Sequence, residues 1–418
     1  MKKALFFFLL LSVISLQAQD YFPTNTGVKT TKNTMVAIKN ATIYVTPQKI
    51  IKNGTLLINE GKIVAVGKSV NIPTGTKVIN IEGKTIYPSF IDLYADFGIA
   101  KPKKISSSRR NKPQYDASRK GFYWNDHIMP EANAATFFKF DNKKAKELLK
   151  AGFGVVNTHN QDGIVRGNGM LVALNPNSSD AYRILDNKSA QYLSFSKSVK
   201  SKQSYPTSRM GAMALLRQMY LDADWYANGN AKNKDKSLEA LNNNKNLLQI
   251  FYGGSWLNSL RADKIGDEFN IQYTILGGGN EYERIEDIKK TNANFIIPIN
   301  FQAAYNVSNP AIAKQIPLSD LRKWNQQPSN LSVLDKNEIN FALTTHKLKK
   351  LDDFHKNLQK AIKYGFNKEK ALESLTTKPA QMLGKTNIGN LNIGSYANFI
   401  ITSGAIFDAK TTIHENWV

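Results

Sequence analysis

Residues Asn40 to Gly98 read NATIYVTPQKIIKNGTLLINEGKIVAVGKSVNIPTGTKVINIEGKTIYPSFIDLYADFG. Short runs rich in Val, Ile and Thr alternate with turn residues, which is the pattern of an antiparallel β-unit. Asn59-Glu60-Gly61-Lys62 separates two apolar runs and is read as a hairpin turn. The unit starts at about Met35 and ends near Ile86. After Phe90 the grammar changes from strand–turn–strand to strand–helix. Far along the chain, Ala371 to Asp408 reads ALESLTTKPAQMLGKTNIGNLNIGSYANFIITSGAIFD, where a helical pattern gives way to strands with Gly turns. The two β-type ends therefore bracket a long middle, and one small domain formed by both termini is expected (35–87 with 386–418).

In the middle, helices are predicted at Asn142–Ala151, Ser208–Tyr226, Lys236–Asn244, Ser255–Phe269, Tyr282–Thr291, Leu351–Tyr364 and Lys368–Leu375. Between them lie GFGVVNT, LLQIFYG, IQYTILG, NFIIPIN and INFALTT, each too short for a helix and bounded by turn residues or helical patterns. Such alternation predicts an α/β fold with a parallel sheet, and over 88–385 a TIM-like (β/α)8 barrel. A doubly wound open sheet is the alternative, but no G-x-G-x-x-G follows the first strand. Gly277-Gly278-Gly279 follows a late strand without a Walker-type Lys-Ser/Thr and is read as a tight turn.

The two quoted stretches resemble the opening and the close of the amidohydrolase superfamily, and together cover about a quarter of the chain. WNDHIMPEA, GIVRGNGM and MALLRQMYLDADWY in the middle resemble the first half of long exported bacterial proteins built from two amidohydrolase-like copies. The resemblance implies a barrel with a β-sandwich composite domain. It also implies hydrolysis of C–N bonds by one or two metal ions, usually zinc, at the C-terminal mouth of the barrel, where they activate a water. The family's ligands are a His-x-His pair on the first strand, a Lys or Glu on the fourth, a His on each of the fifth and sixth, and an Asp on the eighth.

This chain departs from that pattern at every ligand that can be placed. Tyr94 and Asp96 stand where the His-x-His pair belongs. The presumed fifth strand ends in Tyr252 and Gly253, and the sixth in Gly277-Gly278-Gly279-Asn280. The eighth offers Thr344, Thr345 and His346 in place of Asp. No bridging Lys is assigned. Tyr is a poor zinc ligand and Asp alone gives one oxygen donor. No zinc or other cofactor is therefore expected, although active relatives carry zinc.

The five histidines are His127, His159, His346, His355 and His414, and none forms a His-x-His or His-x3-His pair. His159 and His346 each follow a predicted strand, so with Asp96 they make a three-ligand set on paper. Ordinary hydrogen-bonded histidines at a rim are the stronger expectation. His355 is expected on a solvated helix face, and His127 and His414 in loops or at an edge. Asp92 and Asp96, four apart on a strand, are expected to face one side and are the weak candidates for acid–base catalysis. The expected pocket at the barrel mouth is Tyr94, Asp96, His159, Tyr252 and His346. Ser255 lacks G-x-S-x-G and a triad partner. The aromatics of GFYWND (Gly121–Asp126) and DADWYANG are read as core packing before pocket lining.

Composition bounds the remaining classes. The chain has 418 residues, 42% hydrophobic, with no cysteine, so it has no disulfide framework and no thiolate metal site. Lys2 and Lys3, the apolar run Ala4–Leu16 and the small Ala18 read as a signal peptide over residues 1–18. The run is shorter than the ~20 residues that span a bilayer. An exported, periplasmic or secreted protein with a flexible mature N-terminus at 19–34 is expected, with no membrane span. Net charge is +23, and losing Lys2 and Lys3 leaves +21. Only ten of the 56 basic residues are Arg and the lysines are dispersed, which disfavours nucleic acid as a partner. The cluster Lys101–Lys112 is Ser-rich and read as a loop.

Three functions stay open on these grounds. The first is a catalytically degenerate amidohydrolase domain, structural or ligand-binding, beside a second, catalytic copy. The ending IHENWV (Ile413–Val418) resembles the start of a final sandwich strand, as in a split or truncated two-copy protein. The second is an active hydrolase with a shifted or metal-free site. The third is a basic exported binding module.

Overall fold

A computed structural model describes residues 34–105, 112–115 and 123–418. The leader reading at 1–18, nearly all of 19–34, and parts of Lys101–Lys112 and Gly121–Asp126 lie outside the described residues. Five strands open the chain: β1 (Val36–Tyr44), β2 (Ile50–Asn59), β3 (Lys62–Gly67), β4 (Lys77–Asn80) and β5 (Thr85–Pro88). Ten follow: β6 (Phe90–Ala95), β7 (Phe153–Thr158), β8 (Val165–Asn168), β9 (Met170–Ala173), β10 (Ile184–Asp186), β11 (Ala190–Ser194), β12 (Leu248–Tyr252), β13 (Thr274–Leu276), β14 (Asn294–Pro298) and β15 (Phe341–Thr344). Two close it, β16 (Phe399–Thr402) and β17 (Ile413–Trp417).

Both chain ends enter one hydrogen-bonded sheet, in the order β17-β16-β5-β1-β2-β3 with β4 beside β1. Its core is aliphatic, with Ile38, Ile43, Leu56, Ile63, Ile86 and Ile401 buried together. The β2–β3 hairpin turns on Glu60 (φ 48) and Gly61 (φ 73). Both are left-handed, as a two-residue turn matched to strand twist requires. Ser89 Oγ donates to Asn416 Oδ1, and Asn416 Nδ2 donates to the carbonyls of Leu149 and Phe153. These bonds hold the terminal sheet against the middle of the chain. At Gly154 a Cβ would come within 2.2 Å of Asn398 Oδ1, so only glycine lets β7 pass there.

The middle forms two further sheets, β10-β9-β7-β6 and β15-β14-β13-β12-β11-β8. Strands β11 to β15 pair in parallel, as does β6 with β7. The expected closed barrel of eight parallel strands is not what the backbone hydrogen bonds draw. Antiparallel strands β8 and β9 carry the chain from one sheet to the other, through Gly169, where a Cβ would meet the Tyr192 ring at 2.5 Å. Between β15 and β6 no backbone ladder forms, and side chains make the join. The strands enclose a core that includes Ile91, Leu93, Tyr94, Val155, Tyr192, Ile250 and Ile296. Their outer faces pack against helices through a second, larger core.

The predicted helices are found with ends shifted by one or two residues, and Lys368–Leu375 without shift. Tyr282–Thr291 is a 3-10 turn (Glu281–Arg284) followed by a helix (Ile285–Lys290). Helices Leu318–Gln326, Asn330–Lys336 and Thr377–Met382 were not predicted, nor were β8 to β11. Among the described residues, no helix is long and apolar enough to cross a membrane.

Candidate functional site at the strand-ring mouth

Strand β6 delivers the first group of side chains, and its register slips between Asp92 and Ala95. The slip breaks the alternation that would have placed Asp92 and Asp96 on one side. Asp92 is fully buried. Its Oδ1 accepts from Tyr94 N (2.9 Å) and Thr344 Oγ1 (2.7 Å), and its Oδ2 from Thr345 N (2.9 Å) and Thr345 Oγ1 (2.6 Å). Three of the four bonds join β6 to the end of β15, so Asp92 is a clasp and not half of a carboxylate pair. Asp96 lies beyond the strand end and accepts from Lys144 Nζ at 2.5 Å. Lys144 sits in the first turn of the helix Asn142–Lys150, which Asp141 caps by accepting from Lys143 N and Lys144 N.

Tyr94, His159, Tyr252 and His346 do converge. The Tyr94 ring lies 4.4 Å from the His159 ring and 4.8 Å from the His346 ring, both edge to face, and 6.2 Å from Tyr252. His159 stacks on Tyr192 at 3.5 Å. Tyr192 Oη donates to Leu93 O, which fixes the stack against β6. His159 is fully buried and neither ring nitrogen has a protein partner. The expected rim hydrogen bonds are thus replaced by aromatic packing. Burial, then the charge of Arg166, then His346 hold the His159 imidazole well below its ordinary pKa. His346 is pushed down to about 4 by burial, then by Lys347 and Arg166, with Asp96 opposing.

Two cations complete the site, and the sequence reading did not single out either. Arg166 on β8 is 5% exposed, donates from Nη1 to Tyr94 Oη at 2.5 Å and from Nε to Gly163 O, and lies over the Tyr252 ring. Lys347 donates to Tyr252 Oη at 2.5 Å. Tyr94 is raised above its ordinary pKa by burial, an effect that Arg166 partly offsets. Beside Tyr94 and His346 a cavity of about 470 Å³ opens, lined also by Asp96, Lys144, Glu147 and Lys347; Arg166, His159 and Tyr252 adjoin its lining residues without lining it themselves.

The zinc that the resemblance implies does not fit these residues. Among the described residues no group of three or more His, Asp or Glu converges. The Tyr94 ring touches both imidazoles, and a buried guanidinium bonds its hydroxyl. A second cation there would face Arg166 in a low-dielectric setting, with Asp92 committed to the clasp and Asp96 to Lys144.

The other singled-out residues are structural. His127 is buried, accepting from Ser198 N and donating to Tyr205 O. His355 is not solvated: its Nε2 bonds Ala151 O at 2.9 Å, and its ring lies near Phe90 and Phe354. His414 is exposed in β17. Ser255 caps the helix Trp256–Glu268 by accepting from Asn258 N. Gly278 N donates to buried Glu281 Oε1, so a carboxylate already holds the glycine turn. Trp124 donates to Asp222 and Tyr226 packs on the core, whereas Trp225 is exposed.

Comparison with solved structures decides the fold. An amidohydrolase from Thermotoga maritima superposes with a TM-score of 0.71, covering 91% of this chain and 97% of that one at 19% identity. The chain has the amidohydrolase fold. A Xaa-Pro dipeptidase with bound methionine also matches, at a TM-score of 0.51 and 12% identity over 88% of this chain and 94% of that one. By sequence, the imidazolonepropionases of several Staphylococcus aureus strains are 28% identical over 127 residues, which is 28% of this chain. The match spans 30% of the length of those curated relatives. No family model matches the sequence.

Proposed function

We propose that this chain is an amidohydrolase-fold protein that has lost metal-dependent hydrolysis and keeps the mouth of its strand ring as a ligand pocket. The observation that carries this reading is the hydrogen bond from Arg166 to Tyr94. It sets a fixed organic cation beside the residue that stands in the first ligand position. A guanidinium cannot lower the pKa of a bound water as a divalent ion does. Neither Asp92 nor Asp96 is left free to act as a general base. The reading assigns hydrolysis of C–N bonds to a second amidohydrolase copy, if one accompanies this domain, and places the protein outside the cytoplasm.

Metal analysis of the purified full chain, with a panel of dipeptides and cyclic amides, tests it. The expected result is no stoichiometric metal and no turnover, before or after incubation with zinc. About one tightly held zinc per chain, lost together with turnover on chelation, would sink the proposal.

A further inference from the structure

We propose that the mouth around Arg166 binds a small organic carboxylate, received by Arg166, Lys347 and the Tyr94 hydroxyl. The proposal rests on the ligand-pocket reading above and adds the chemical class of the ligand.

Charge is the first ground. Arg166 is 5% exposed, and among the described residues no carboxylate forms an ion pair with it or with Lys347. Two acids line the neighbouring cavity: Asp96 is bonded to Lys144, and Glu147 is exposed to solvent on the helix Asn142–Lys150. A buried guanidinium without a counterion is costly, and a bound anion removes that cost.

Unused donors are the second ground. Arg166 carries five N–H groups, and its hydrogen bonds are to Gly163 O and Tyr94 Oη. Tyr94 Oη accepts from Arg166, so its own proton can point to a ligand oxygen. His159 has two buried ring nitrogens and His346 one, Nε2, without partners. Each neutral imidazole also holds one N–H in need of an acceptor.

Shape is the third ground. Tyr94 and His346 line the cavity, with the Tyr252 ring 5.7 Å from that of His346. Aromatic walls suit an organic acid with an apolar body, which inorganic phosphate lacks. Lys347 is held at φ 63, an uncommon backbone for lysine, and this conformation goes with its bond to Tyr252 at the mouth.

Isothermal titration of the full chain with hexanoate and 3-phenylpropionate tests the idea, with the matching neutral amides and inorganic phosphate as controls. The acids should bind about tenfold or more tighter than their amides. Lys347→Ala should weaken acid binding about fivefold without moving the melting temperature, because Lys347 is exposed. Arg166→Gln should weaken it more than about tenfold. If Arg166→Gln does not fold, Lys347→Ala decides. Equal affinity for acid and amide, preference for phosphate, no binding of either acid at about 10 mM, or unchanged affinity in a folded variant would each overturn the carboxylate assignment. A protein free of metal and turnover that ignores the acids sinks only this inference. A zinc-loaded protein that hydrolyses amides sinks the ligand-pocket reading beneath it.

Discussion

The imidazole of His159 lies flat on the ring of Tyr192, with 3.5 Å between centroids and 3° between planes. Its nitrogens are buried and bond to no protein atom. In the protein as it stands, His159 therefore acts as an aromatic plate. Replacing it by Phe keeps the plate and removes two unsatisfied polar atoms, so stability should hold within about 1 kcal/mol or rise. His159→Ala should cost about 3 kcal/mol through the void it leaves. Urea unfolding of the two variants checks the contrast. A large loss in the Phe variant would mean that the imidazole nitrogens are used.

Stability should fall with acid through the histidines at the mouth. The folded state keeps His346 neutral down to about pH 4, whereas the unfolded chain protonates it near 6.5. Between those values the unfolded state holds more protons, so stability rises with pH across the window. The contribution is complete above about 6.5 and lost as pH falls towards about 4, on the order of 3 kcal/mol in all. His159 acts in the same direction. Unfolding curves from pH 7 to 4 should be flatter for His346→Gln than for the parent, and parallel curves would refute the assignment.

The two aspartates of β6 and its end should separate sharply. Asp92→Ala removes the acceptor of four hydrogen bonds in a buried join and should cost about 3 kcal/mol or more. Asp96→Ala breaks a half-exposed pair with Lys144 and should cost less than about 1 kcal/mol. Equal losses in chemical denaturation would contradict these roles.

Gly167, at φ 82 in β8, faces Ala132, whose carbonyl oxygen a Cβ would meet at 2.1 Å. Gly167→Ala should destabilise by about 2 kcal/mol or more and displace the neighbouring Arg166. A shifted carboxylate affinity with unchanged thermal stability would run against this account.

The elements that sequence exposes best are those whose signals are local. The helix Lys368–Leu375 follows an Asn367 cap, and the turn Glu60-Gly61 sits between apolar runs. Strands β8 and β9 escape because glycines at 163, 167 and 169 break their pattern, and close approaches of Gly167 to Ala132 and of Gly169 to Tyr192 set the backbone there. The same stretch hides Arg166, which GIVRGNGM contains but which no spacing rule marks. Tyr94, His159, Tyr252 and His346 are legible because each closes or follows a strand of the ring. The separation of Asp92 from Asp96 is not, since it depends on a register slip against β7.

The Asp92 clasp joins residues 252 and 253 positions apart in the chain. No local segment can form it, and during synthesis it must wait until β15 has left the ribosome. The entropy of closing so long a loop grows only as the logarithm of its length, so the delay costs time far more than stability. Until then the buried edge of β6 stays open. A substitution at Thr344 or Thr345 would be expected to show as slow maturation or aggregation of the nascent chain, in addition to the stability lost when buried Asp92 is left short of donors.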